Sequence, residues 1–180
     1  MMLATSARGA EIVATARRLL EAGGAEAVTM RALAEALGIK APSLYKHLPD
    51  KHALETALFA EGFRDLGAAF EAAVAGAPDP LGAIASAYRA WALGHPHFYR
   101  FMTARPIDRA QLPPGLEDRA AAPLVAACAG DADRARAAWA FAHGMADLEL
   151  AGRFPPDADL DAAWRTGIDA FRPPPATERP

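Results

Sequence analysis

The sequence predicts an all-α protein. Apolar residues recur at helical spacing almost throughout, and no stretch alternates as a half-buried strand does. Alanine is abundant while Ile, Val, Thr and Tyr are sparse, a balance that favours helix over sheet. With 180 residues, 52% hydrophobic and 23% charged, the chain can bury a sizeable core and does not have a disordered composition.

Each element follows from local chemistry. The first helix is predicted from Arg8 to Ala22, with Ile12, Ala16, Leu19 and Leu20 on one face and Gly23-Gly24 ending it. Thr29 caps a short helix whose inner face is Met30, Leu33, Ala34 and Leu37, and Gly38 stops it. Pro42 opens the next, where its missing N–H costs nothing, and that helix runs through Leu44 and Tyr45 to His47. Pro49 breaks it and Asp50 caps a long helix from Lys51 to about Ala75. The stretch Gly76-Ala77-Pro78-Asp79-Pro80 is a boundary. Further helices are predicted at about 80–94, 97–104, 115–129, 131–152 and 158–171, and 173–180 reads as a loose Pro-rich tail.

Several function classes are disfavoured. No Gly-rich phosphate loop follows a strand, no G-x-S-x-G elbow is present and no carboxylates cluster, so neither enzyme activity nor a cofactor is expected. His95 and His97, with His143 distant, lack the further ligands a metal needs, so no metal is expected. Cys128 is the single cysteine, which excludes an internal disulfide and suits a small buried residue in a reducing compartment. No signal peptide opens the chain and no apolar run reaches membrane-spanning length; a cytoplasmic protein with no membrane partner is expected.

Net charge is −3, too acidic for a chain that coats nucleic acid. It is uneven, however: residues 1–55 carry seven Lys/Arg against six Asp/Glu, the remainder twelve against sixteen. Any contact with phosphates must come from a local patch near the N-terminal end.

Thr29 to Lys51 supplies such a patch. Two short helices joined by a tight turn at Gly38 make a helix-turn-helix. Ala34 is small where the helices cross, and Ile39 and Leu44 fill the space beneath the second helix. The opposite face carries Lys40, Ala41, Pro42, Ser43, Tyr45, Lys46 and His47. Donors, an aromatic ring and an apolar edge within two turns suit base edges and thymine methyls in a major groove. Thr29 and the amides behind it can meet a phosphate, as can Lys51; Arg31 can reach either the groove or a phosphate.

On these residues the head, about Ala7 to Phe63, resembles the DNA-binding domain of the TetR family of repressors. The matching features are G-x-E-A-V-T-M-R-A-L-A-E-A-L-G-I from Gly24, A-P-S-L-Y-K-H-L-P-D-K from Ala41, and Leu54. The resemblance implies that Ala41, Pro42, Ser43, Tyr45 and His47 face the major groove, and that Thr29, Tyr45 and Lys51 hold phosphates. His47-Leu48 departs from the Tyr-Phe or His-Phe of many members.

Three domains are thus expected: a three-helix DNA-binding head at 7–63, a helical effector-binding and dimerisation body at 64–172, and the tail at 173–180. The body, from about Asp79 to Phe171, resembles a TetR-family C-terminal domain with a Trp-x-x-x-His-Gly run, here Trp139, His143 and Gly144. By chemistry alone its aromatics are core or the walls of a pocket. The resemblance implies a ligand among the middle helices, with Trp91, Tyr99, Met102, Trp139 and His143 as candidate walls. The last two helices resemble the family's dimer interface, with Leu148, Leu160, Trp164 and Ile168 as candidate contacts. The expected partners are a palindromic double-stranded operator, a second copy of the chain and a small apolar or aromatic effector. An unresponsive regulator, or an activator, would share every head residue.

Overall fold

The architecture was read from a computed structural model, which describes residues 7–174. Among these residues nine α-helices occur and no strand: α1 Ala7–Gly23, α2 Met30–Ala36, α3 Ala41–Leu44, α4 Lys51–Val74, α5 Pro80–Gly94, α6 Pro96–Thr103, α7 Leu116–Ala127, α8 Ala132–Leu150 and α9 Leu160–Asp169. The predicted tail begins in this description, but 175–180 lie outside the described residues.

Their ends are set by the residues expected. The Thr29 hydroxyl oxygen accepts from the Ala32 N–H at 3.0 Å, capping α2. At its other end Gly38 adopts φ +65°, and Ile39 N–H donates to Ala34 O while Gly38 N–H donates to Glu35 O. This pair of bonds is a Schellman motif, and it closes the tight turn into α3. The second helix is shorter than predicted. After Leu44 the chain continues to His47 as a hydrogen-bonded turn, with His47 N–H donating to Leu44 O three residues back. Its α portion is hemmed between Pro42 and Pro49, which leaves few residues to propagate a regular helix.

The chain divides into two compact units, one through Asp65 together with His95–Leu116, the other Leu66–Gly94 with the residues from Glu117 onward. The sequence placed a boundary at 63/64 and kept 95–116 with the body. The structure instead packs that segment with the head, because α6 supplies much of the head's core. Ile12, Ala16 and Leu20 of α1 are fully buried, as are Leu33, Leu44, Leu48 and Phe98, with Phe101 nearly so. Phe101 lies 4.9 Å from the Phe59 ring of α4. A Cβ on Gly62 would stand 2.6 Å from Met102 Sδ, so glycine permits this close approach of α4 and α6. The Arg17 guanidinium adds a charged tie, 2.5 Å from Asp65 and 4.6 Å over the Phe98 ring.

In the second unit α5, α8 and α9 pack around Ile84, Tyr88, Trp91, Ala138, Ala142, Trp164 and Ile168. Arg89 of α5 ties the three helices, donating to Glu149 at 2.8 and 2.9 Å and to Asp161 at 2.5 Å. Cys128 is buried, and burial pushes its thiol pKa up. No helix of the described residues is long and apolar enough to cross a membrane.

Candidate nucleic-acid interface

The surface offered by α2, α3 and the start of α4 is built by opposed faces. Leu33, Ala34, Leu44 and Leu48 point inward, at most 4% exposed. Arg31, Lys40, Pro42, Tyr45, Lys46, His47 and Lys51 all point outward, while Ala41 and Ser43 are half-buried. Tyr45 is 53% exposed although it adjoins the fully buried Leu44. Its ring and its phenolic hydroxyl are therefore both open to a partner.

Charge reinforces the pattern. Arg17, Arg89, Arg105 and Arg172 each sit within 4 Å of a carboxylate. Arg31, Lys40 and Lys46 have no such partner among the described residues, so their charge is available to phosphates. Lys51 is only loosely held, its Nζ 3.8 Å from Glu55 Oε1. Thr29 is engaged by its capping bond as an acceptor, which leaves its hydroxyl proton to donate. All ten head residues singled out from the sequence therefore lie in one stretch around the helix-turn-helix.

Two comparisons with known sequences meet on this geometry. Residues 12–58 match the family model of bacterial regulatory proteins of the tetR family, and 81–171 match that of a tetracyclin repressor-like C-terminal domain. The uncharacterized HTH-type transcriptional regulator Rv0681 of Mycobacterium tuberculosis is 32% identical over 163 residues, 85% of this chain and 74% of that protein. The chain belongs to the TetR family. As a TetR-family protein it is a DNA-binding transcriptional regulator and not an enzyme. Its fold is shared with a protein of unknown function from Rhodococcus sp. RHA1, with a TM-score of 0.73 at 29% identity, covering 89% of this chain and 90% of that one. It is shared also with the multidrug binding protein EbrR, solved with imidazole, with a TM-score of 0.67 at 24% identity, covering 94% and 92%.

The body residues chosen from sequence fare differently in this TetR-family chain. Trp139 and His143 stack on α8 with centroids 6.0 Å apart, and Trp91 is buried on α5 of the same unit. Tyr99 and Met102 pack instead in the unit that carries the head, Tyr99 without any exposure. Of the five, Trp139 alone lines the second unit's apolar crevice, with Phe70, Leu81, Ile84, Tyr88 and Leu124 among its other walls. That crevice encloses about 10 Å³, room for about one water.

Two of the residues expected as dimer contacts lie below the surface. Trp164 and Ile168 are 5% and 3% exposed, buried within their own unit. Trp164 donates its indole N–H to Glu149 at 3.2 Å and meets the Phe141 ring edge-on. The apolar face of α9 is consumed by α8 and α5, so it cannot also be a free surface. Leu148 is exposed and Leu160 half-buried. Among the described residues no three His, Cys, Asp or Glu side chains gather where they could hold a metal. Sequence reasoning missed Glu55, Arg105, His52 and Asp108, which meet beside the start of α4.

Proposed function

We propose that this regulator is a homodimeric repressor, acting in the cytoplasm and released from a palindromic operator by a small apolar or aromatic effector. The observation that carries the DNA reading is the exposure of Tyr45, Lys46 and His47 opposite the buried Leu44. Ala41, Pro42, Ser43, Tyr45 and His47 read bases; Thr29, Tyr45 and Lys51 hold phosphates, and Arg31, Lys40 and Lys46 add charge.

Dimerisation is supported by the outer face of α8. Ala137, Ala140 and Leu148 are exposed with Gly144 half-exposed, a stripe at helical spacing where small residues let a second copy approach closely. The effector reading is supported by the uniformly apolar crevice with the half-exposed Trp139 in its wall. A ligand there would have to open the crevice, and would shift the population toward conformers with different DNA affinity. The crevice's small volume favours a second reading, a regulator with no small-molecule response.

Selection of duplexes from a random pool tests the repressor reading. Two inverted half-sites about 10 base pairs apart are expected, or a multiple of that spacing. Selected sequences without twofold symmetry would refute the dimeric operator complex. Leu148→Glu should leave a folded monomer with weakened binding to the selected duplex; an intact dimer would remove Leu148 from the interface. Release of that duplex by uncharged aromatic compounds separates the responsive reading from the unresponsive one.

A further inference from the structure

The first turn of α4 presents Lys51 beside a carboxylate that ought to hinder it. Glu55 lies one helical turn on, and its Oε1 is 3.8 Å from Lys51 Nζ. A Glu and a Lys at this spacing attract, and the carboxylate also repels an approaching phosphate. A second cation answers the same oxygen more closely. Arg105, 50 residues further along the chain, donates from Nη1 to Glu55 Oε1 at 2.8 Å.

Arg105 is held for this contact from both ends. Its guanidinium carbon lies 5.5 Å over the Phe101 ring of α6, and Phe101 packs on Phe59 of α4. Three residues on, Asp108 Oδ2 lies 3.2 Å from His52 Nε2 and accepts its N–H, pinning the segment after α6 to the start of α4. The two pairs flank a cleft of about 150 Å³ lined also by Thr56, Phe59 and Pro106.

We infer that Arg105 is a positioning residue for DNA binding, which takes the Glu55 carboxylate from Lys51 and so leaves the lysine ammonium for a phosphate. Arg105 need not touch DNA. It neutralises the carboxylate one turn along from Lys51, and it comes from a segment outside the helix-turn-helix, so movement of that segment would change the charge offered to DNA. The inference rests on the reading of Lys51 as a phosphate contact.

Binding of the full chain to a mixed-sequence DNA duplex tests it, followed by fluorescence anisotropy across a salt series. Lys51→Ala should make the salt slope shallower by about one; no change would refute the phosphate reading itself. With that reading upheld, Arg105→Gln should weaken binding about two- to fivefold, the range of an exposed ion pair, and Arg105→Lys should retain most of it. Glu55→Gln alone should bind at least as tightly as the parent, and Glu55→Gln should restore binding to the Arg105→Gln chain. Failure of that restoration, with Lys51→Ala still weakening binding, would make Arg105 a direct DNA contact and overturn the inference. A loss on Glu55→Gln alone would overturn it too, even if Arg105→Gln failed to fold.

Discussion

Gly167 of α9 faces the Cζ end of the Phe141 ring of α8, so close that a Cβ there would overlap Cζ. Phe141 cannot easily yield, because it meets Trp164 edge-on at 6.0 Å and Phe171 at 5.9 Å. Two effects of opposite sign meet in Gly167→Ala. Helix propensity favours Ala by about 1 kcal/mol, while overpacking costs about 1–3 kcal/mol. The clash should win, and urea unfolding should show a net loss of up to about 2 kcal/mol. In a Phe141→Ala background the same substitution should be neutral or stabilising. A more stable Gly167→Ala in the parent chain would show that the helices part without cost.

Ala129 ends α7 in a left-handed conformation, φ +57°, that alanine seldom adopts. The hydrogen bonds from Gly130 N–H to Val125 O and from Ala129 N–H to Ala126 O make it the position where a Schellman motif ordinarily carries glycine. Relief of the Cβ crowding gains about 1–2 kcal/mol, and the extra freedom of glycine in the unfolded chain returns about half of it. Ala129→Gly should therefore raise the melting temperature modestly. A lower melting temperature would mean that the alanine methyl packs more usefully than its conformation costs.

The head was legible in the sequence because its logic is local. Thr29 caps, Gly38 turns and Leu44 anchors within one short stretch, and each role depends on neighbours at most a few residues away. Residues 95–116 were not legible as part of the head unit. Arg105 and Glu55 are 50 residues apart, and nothing in either local stretch names its partner. The same limit explains Trp164 and Ile168. Helical periodicity showed that α9 has an apolar face, but an apolar face suits its own α8 as well as a second copy of the chain. The unit to which Tyr99 and Met102 belong was hidden for a related reason, since an aromatic-rich helix reads alike whether it lines a cavity or closes a core.

Acid should weaken the second unit through its paired aspartates. Two hydrogen bonds from Arg172, at 2.6 and 2.7 Å, hold the Asp79 carboxyl below the usual carboxylate range, and the bond from Arg89 does the same for Asp161. A depressed folded pKa gives stability that is present above the unfolded value, about 3.9, and is lost as pH falls through the folded one. Glu61 acts in the opposite sense in the first unit: burial raises its pKa, so its contribution is present at low pH and fades as pH rises. Asp79→Asn keeps the side-chain oxygen that caps α5 but removes the charge and one of the two acceptors for Arg172. It should cost about 0.5–1 kcal/mol at neutral pH, discounted for the exposure of this pair. The parent and variant unfolding curves should converge once the pH has fallen through the lowered pKa of Asp79. A difference that persists there would assign the effect to lost capping.

Thr29 serves two roles that substitution can separate. Its hydroxyl oxygen caps α2, and loss of a threonine cap costs about 1 kcal/mol. Thr29→Ala should lower both stability and DNA affinity, whereas Thr29→Ser should restore the two together. If Ser restored stability but not binding, the threonine methyl would be the part that DNA requires.

Tyr45 and Leu44 are adjacent in sequence and opposite in environment, and the contrast gives the sharpest test of the head. Leu44 is fully buried, so Leu44→Ala should cost about 2–5 kcal/mol of stability and lose DNA binding only because the head unfolds. Tyr45 is 53% exposed, so Tyr45→Ala should leave the melting temperature and helical circular dichroism within error. Binding to a selected operator should nevertheless fall by about 1–3 kcal/mol, roughly 5- to 150-fold. Discrimination between that operator and mixed-sequence DNA should shrink if the ring reads bases, and stay constant if it only braces a phosphate. A stability loss for Tyr45→Ala comparable to that of Leu44→Ala would make the tyrosine a core residue and remove it from the reading face.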